Sequence, residues 1–152
     1  MLNRRQALTH SARVATMLAA AGLLPMAAQA AYPSAAFEAK TMPELVKALG
    51  GSAPTESKDI TITAPDIAEN GAVVPVGAAT TLAGVSRLML LVEKNPAMLA
   101  ATFDVTDAVE ANFTTRVKMG QSSNVYAVAL MKDGKVMYAV KETKVTLGGC
   151  GG

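Results

Sequence analysis

The sequence predicts an all-β fold: an immunoglobulin-like β-sandwich with a short N-terminal helix and a flexible C-terminal arm. Three observations carry that expectation. From Lys58 onward apolar and polar side chains alternate at period two, turn residues recur every eight to twelve positions, and seven or so short strands fit into about 90 residues. A single cysteine rules out the intradomain disulfide of many such sandwiches, so the core must hold together by packing alone.

Residues 1–30 stand apart as an export signal. Met1 to Arg13 carries Arg4, Arg5 and Arg13 and no acid, Val14 to Leu24 is mostly apolar, and Ala28-Gln29-Ala30 is a small-x-small cleavage site. Consecutive arginines in Asn3-Arg4-Arg5-Gln6-Ala7-Leu8, ahead of an Ala-rich and only mildly hydrophobic stretch, fit a twin-arginine signal, although Ala7 stands where Phe is frequent; the alternative is an ordinary secretory signal with paired arginines. That route exports folded cargo, with the periplasm as the default destination. Cleavage after Ala30 leaves 122 of the 152 residues, removes three of the 14 basic side chains and the only histidine, and turns a formal charge of +2 into −1.

Composition then excludes several classes. A near-neutral chain without a basic stripe has no electrostatic footprint for nucleic acid. Without histidine and with one cysteine, the processed chain cannot assemble a Ser-His-Asp or Cys-His pair or a usual zinc site. The apolar stretch at Val14 is too short to span a bilayer. We therefore expect one exported soluble domain, residues 31–147, with no cofactor, no metal and no catalytic residue of its own.

Ala31 to Ala39 reads as a loose lead-in. Thr41-Met42-Pro43-Glu44 is a capping box with proline in the first turn; Met42, Leu45, Val46 and Leu49 share one face, and Gly50-Gly51 stops the helix. Ile60 to Thr63 alternates as a strand. Asp66 to Gly71 holds the Asn70-Gly71 turn, after which Ala72 to Val76 resumes as a strand whose Pro75 argues for an edge or bulge. Leu88 to Val92, beginning near Val85, is a continuous apolar run suited to a buried central strand, broken at Asn95-Pro96. Ala101 to Val105 and Ala111 to Lys118 follow, then a polar turn from Met119 to Asn124. Val125 to Met131 and Lys135 to Val140 flank the hairpin signal Asp133-Gly134, and Thr143 to Leu147 closes the last strand. Lys118, Lys132, Lys135, Lys141 and Lys144 read as solvated faces and edge protection. Met89, Met131 and Met137 read as core rather than as a metal site.

The candidate site is the tail, residues 148–152: Gly148-Gly149-Cys150-Gly151-Gly152. Four glycines give the segment no side chains with which to bury the thiol. Five extended residues reach at most about 16 to 18 Å, thin enough to enter another protein's active site. An unperturbed thiol has a pKa of about 8.5, and the nearest basic residue in sequence, Lys144, is six positions away. Such a thiol lacks catalytic apparatus. It suits a carrier, with partners supplying activation and the chain supplying a tether.

The twin-arginine leader, the capped helix, the turn Ala68-Glu69-Asn70-Gly71 leading into Val74-Pro75-Val76, and the terminal Gly-Gly-Cys-Gly-Gly together resemble the SoxY family, the sulfur-carrier subunits of bacterial thiosulfate oxidation. The resemblance implies an immunoglobulin-like sandwich, Cys150 as the attachment point for sulfur intermediates, and Gly148, Gly149, Gly151 and Gly152 as a swinging arm. It also implies partners: a SoxZ-like β-sandwich forming a heterodimer, a c-type cytochrome coupling enzyme, a dimanganese hydrolase that releases sulfate and, where present, a molybdenum-haem sulfur dehydrogenase. The metals belong to those partners. Two rival readings stand beside this one. One is an exported sandwich using its cysteine for intermolecular disulfide assembly. The other is a Gly-Gly carboxylate-type sulfur carrier, which works in the cytoplasm and has a β-grasp fold.

Overall fold

The computed structural model describes residues 3–20 and 34–148. The chain divides into two units, residues 1–32 and 33–152. In the first, Arg4–Ala20 forms helix α1. Its start is held by a reciprocal cap: Gln6 N donates to Asn3 Oδ1 at 3.0 Å and Asn3 N donates to Gln6 Oε1 at 3.1 Å, which puts the paired arginines in the first helical turn. Among the described residues no helix is long and apolar enough to cross a membrane. The expected cleavage site, Ala28-Gln29-Ala30, lies outside the described residues.

The second unit is a sandwich with a helical layer on one side. Its elements are α2 (Ser34–Glu38), α3 (Met42–Ala48), β1 (Thr55–Glu56), β2 (Ile60–Thr63), β3 (Ile67–Asn70), β4 (Val74–Thr80), β5 (Val85–Val92), β6 (Leu99–Asp104), β7 (Asn112–Val117), β8 (Ser123–Met131) and β9 (Val136–Leu147). One sheet runs β1-β9-β8-β5-β6, with β3 also on β9; the other runs β2-β4-β7. Alternation decides which side chain meets which layer. Leu88, Leu90 and Val92 of β5, with Val125, Ala127 and Ala129 of β8, face the small sheet's Ile60, Val74, Val76, Ala78 and Val117. Met89 and Leu91, with Val128 and Val136, turn the other way onto Ala36, Leu45 and Val46 of the helices.

Burial on both faces is the reason β5 reads as an unbroken apolar run. Its residues Leu88 to Val92 are at most 1% exposed, and each contributes about 1.5–3 kcal/mol. At the other edge of β5, register jumps between Leu90 and Leu91, which pair with Ala101 and Leu99. Ala100 is thus an extra residue in β6, and this bulge lets Leu99 join the helical core while Ala101 and Phe103 pack in the intersheet core. Phe103 stacks on Phe113 of β7, ring centroids 4.6 Å apart, closing the open side of the sandwich.

Helix α3 is built as its sequence dictates. Thr41 Oγ1 accepts from Glu44 N, and Pro43 occupies the first turn. Glu44 reaches one residue further back than a standard box, accepting from Lys40 N at 3.0 Å. At the far end Gly51 N donates to Val46 O and Gly50 N to Lys47 O, with Gly50 at φ 72°, a Schellman stop. The Asp133-Gly134 hairpin forms between β8 and β9.

Several expectations need correction. Nine strands are described in place of seven or so. The lead-in contains α2, which buries Ala36 in the helical core. The stretch expected as a turn from Asp66 to Gly71 contains β3, parallel to β9, a pairing no alternation announces. Strand β4 extends to Thr80 because Gly77, Ala78 and Ala79, poor in strand signal, are paired on both sides. Pro75 lies in the middle strand of its sheet. It is accommodated without a bulge in the β4–β7 ladder because β2 ends opposite Gly77, leaving Pro75 without a neighbour on that side. Met119 is fully buried, not part of a polar turn. The two expected last strands are one, since Lys141 and Glu142 continue the ladder against Val125 and Asn124. Met89, Met131 and Met137 do pack in the cores.

Candidate functional site: the end of the last strand

Strand β9 delivers the chain to its C-terminal pentapeptide. Gly149, Cys150, Gly151 and Gly152 lie outside the described residues; Gly148 is the last residue described. The strand is fastened on the way. Lys141 Nζ donates to Ala64 O at 2.6 Å and pairs with Asp66 at 2.9 Å. Thr143, fully buried, donates its hydroxyl to Pro65 O at 2.9 Å, and Lys144 N donates to Asp66 O at 2.9 Å. β3 then runs beside it, with Ile67, Ala68 and Asn70 opposite Lys144, Val145 and Leu147.

The last residues are stitched from two sides. Val145 N donates to Ser122 Oγ at 2.9 Å, and Thr146 Oγ1 donates to Glu69 O at 2.9 Å. Gly71 N donates to Leu147 O at 2.7 Å while Gly71 O accepts from Met119 N at 2.7 Å. The Asn70-Gly71 turn therefore joins the ends of β3, β7 and β9. Around this end Ile67, Val73 and Leu147 are large apolar side chains left exposed. Sequence reasoning singled out Asn70-Gly71 but missed Ser122 and Gly120, which sat in an ordinary-looking polar turn.

Two hollows lie elsewhere. The larger, about 740 Å³, is at the opposite end of the sandwich, between the start of β2 and the ends of β4 and β6, and is lined by Lys58, Asp59, Asp107, Glu110 and Lys132 among others. Lys132 pairs with Asp107 there at 3.2 Å. The smaller, about 360 Å³, lies beside α3 and includes Lys40, Glu93, Tyr126 and Tyr138. Burial pushes the Tyr126 phenol above its usual range, and the nearby Glu93 carboxylate adds to that. Its hydroxyl donates to Glu93 Oε1 at 3.4 Å. Neither hollow touches the end of β9. Among the described residues no group of three or more His, Cys, Asp and Glu is placed to hold a metal ion.

The described domain is an immunoglobulin-like sandwich whose final strand ends three residues before the glycine-framed Cys150 in sequence. A family profile described as "Sulfur oxidation protein SoxY" matches residues 45–150, ending on Cys150. The sulfur carrier protein SoxY from Chlorobium limicola f thiosulfatophilum matches at 36% identity and a TM-score of 0.62, covering 69% of this chain and 96% of its own. The chain belongs to the SoxY family. Superoxide reductase (neelaredoxin) from Ignicoccus hospitalis matches at 20% identity and a TM-score of 0.50, over 57% of this chain and 79% of that one, a likeness of fold alone. No curated protein matches the chain significantly.

Proposed function

We propose that this chain is exported to the periplasm by the twin-arginine route and there carries the intermediates of thiosulfate oxidation covalently on Cys150. The observation that carries the reading is the extent of the family match, which runs through to Cys150, the chain's only cysteine. Gly148, Gly149, Gly151 and Gly152 form the side-chain-free arm that bears it, and the chain is acted on rather than acting. In the first step a c-type cytochrome enzyme joins thiosulfate to the thiol, a sulfur–sulfur bond forming as one proton and two electrons leave, the electrons going to haem. The product is a cysteine S-thiosulfonate. Water then cleaves the outer sulfur–sulfur bond on a dimanganese hydrolase, giving sulfate, a proton and a persulfide on Cys150. A molybdenum-haem dehydrogenase, where present, oxidises the remaining sulfur. A SoxZ-like sandwich is the heterodimer partner, and a folded-protein export route suits a chain that leaves the cytoplasm already paired.

Intact-mass and peptide mapping of the protein from thiosulfate-grown cells tests this. Thiosulfonate or extra-sulfur adducts on Cys150 are expected, and Cys150→Ser abolishes thiosulfate oxidation. A homogeneous disulfide dimer without turnover would favour the assembly reading instead. Loss of activity on removing Gly152 alone would favour carboxylate chemistry, which the sandwich fold argues against.

A further inference from the structure

We propose that Gly148 is a positioning residue: its lack of a side chain fixes the point at which the tether leaves the sandwich, so that the leash is short. This rests on the carrier reading above and deepens it. The chain is hydrogen-bonded to the domain through Leu147, by Ser122, Glu69 and Gly71 in turn. One residue on, a Cβ placed on Gly148 would run into the carbonyl oxygen of Gly120, which is backbone and cannot swing aside as a side-chain tip can. The described glycines with positive φ are Gly50, Gly84 and Gly134, so Gly148 is not glycine to permit a left-handed backbone. It is glycine so that two backbones can touch.

The consequence is a division of labour within the pentapeptide. With Gly148 seated against Gly120, the thiol-bearing position is two residue steps beyond the anchored backbone, a reach of about 7 Å to its Cα. Adding a methyl at Gly148 forces the segment off Gly120 and strains the Gly71–Leu147 bond behind it. Fraying back to Val145 lengthens the free tether to about five residues. Effective concentration falls with roughly the −3/2 power of tether length, so the thiol is diluted about fourfold at a docked partner's active site.

The test uses the full exported chain with its partner subunit, comparing Gly148→Ala with wild type. Backbone 15N relaxation on wild type should give Gly148 an order parameter of about 0.8, like strand β9; a value below about 0.6 overturns the proposal. Sulfate release from the thiosulfate-loaded carrier by the hydrolase should show kcat about fourfold lower in Gly148→Ala with KM held, while alkylation of Cys150 by iodoacetamide stays within about twofold, because a free reagent is indifferent to where the leash is tied. Thr146→Val, which removes the hydroxyl that bonds Glu69 O from an exposed position, should lower kcat in the same sense and serves if Gly148→Ala does not fold. Unchanged kcat in both variants, or in Thr146→Val alone if the other does not fold, sinks the inference. Retained sulfur turnover in Cys150→Ser would instead sink the carrier reading on which it stands.

Discussion

At the scale of single residues, burial and hydrogen bonding set what each substitution costs. Leu90 is fully buried in the intersheet core. Leu90→Ala should therefore cost about 2–5 kcal/mol, read as a lower urea midpoint at unchanged m. Glu44 acts through charge. Its backbone bond to Lys40 N holds the carboxyl below its usual 4.5, so the ionised form is favoured by folding. That contribution is present above pH 4.5 and is lost as pH falls through the lowered folded value. Wild type should melt higher than Glu44→Gln at neutral pH, with the two Tm values converging in acid. Equal Tm values at neutral pH would show that the Glu44 charge contributes nothing.

At the scale of elements, end signals and irregularities matter more than average propensity. Seven residues is too short for α3 to persist without its caps and its buried Leu45 and Val46. No atom lies within 4 Å of where a Cβ on Gly50 would sit, so Gly50→Ala tests backbone conformation alone. It should cost about 1–2 kcal/mol by denaturant melt. β9 gains its length from partners rather than from pattern: β8 pairs it as far as Thr143, and β3 takes over from Lys144 to Leu147. On the proposed carrier reading the hand-over matters to function, since it carries the strand backbone to Leu147, three residues before Cys150 in sequence.

For the whole molecule, the large sheet is shared by two cores, one against the small sheet and one against the helices. Both are aliphatic, with aromatic side chains only at their margins, and with one cysteine in the chain neither is braced by an intrachain disulfide. Cys150→Ser should accordingly leave Tm within about 2–4 °C of wild type while abolishing sulfur loading, a separation of stability from function checked by calorimetry beside intact mass. The proposed function profits from that separation, because the covalent states proposed for Cys150 leave the fold untouched.

Much of this was legible along the chain. Thr41 and Glu44, Gly50-Gly51, Asp133-Gly134 and the run Leu88 to Val92 each signal through neighbours a few residues away, and local stereochemistry reads such signals directly. The glycine-framed Cys150 and its resemblance to sulfur carriers were equally plain, since they depend on residue type and position alone. What folding added is non-local. The bulge at Ala100, the parallel seat of β3, the helical layer on the back of the large sheet and the contact of Gly148 with Gly120 arise where segments far apart in sequence meet. Thr146 and Glu69, bonded across 77 residues, carry no mark of each other in the sequence. Pairing of that kind is selected by the packing of the whole chain, and no window of neighbouring residues contains it.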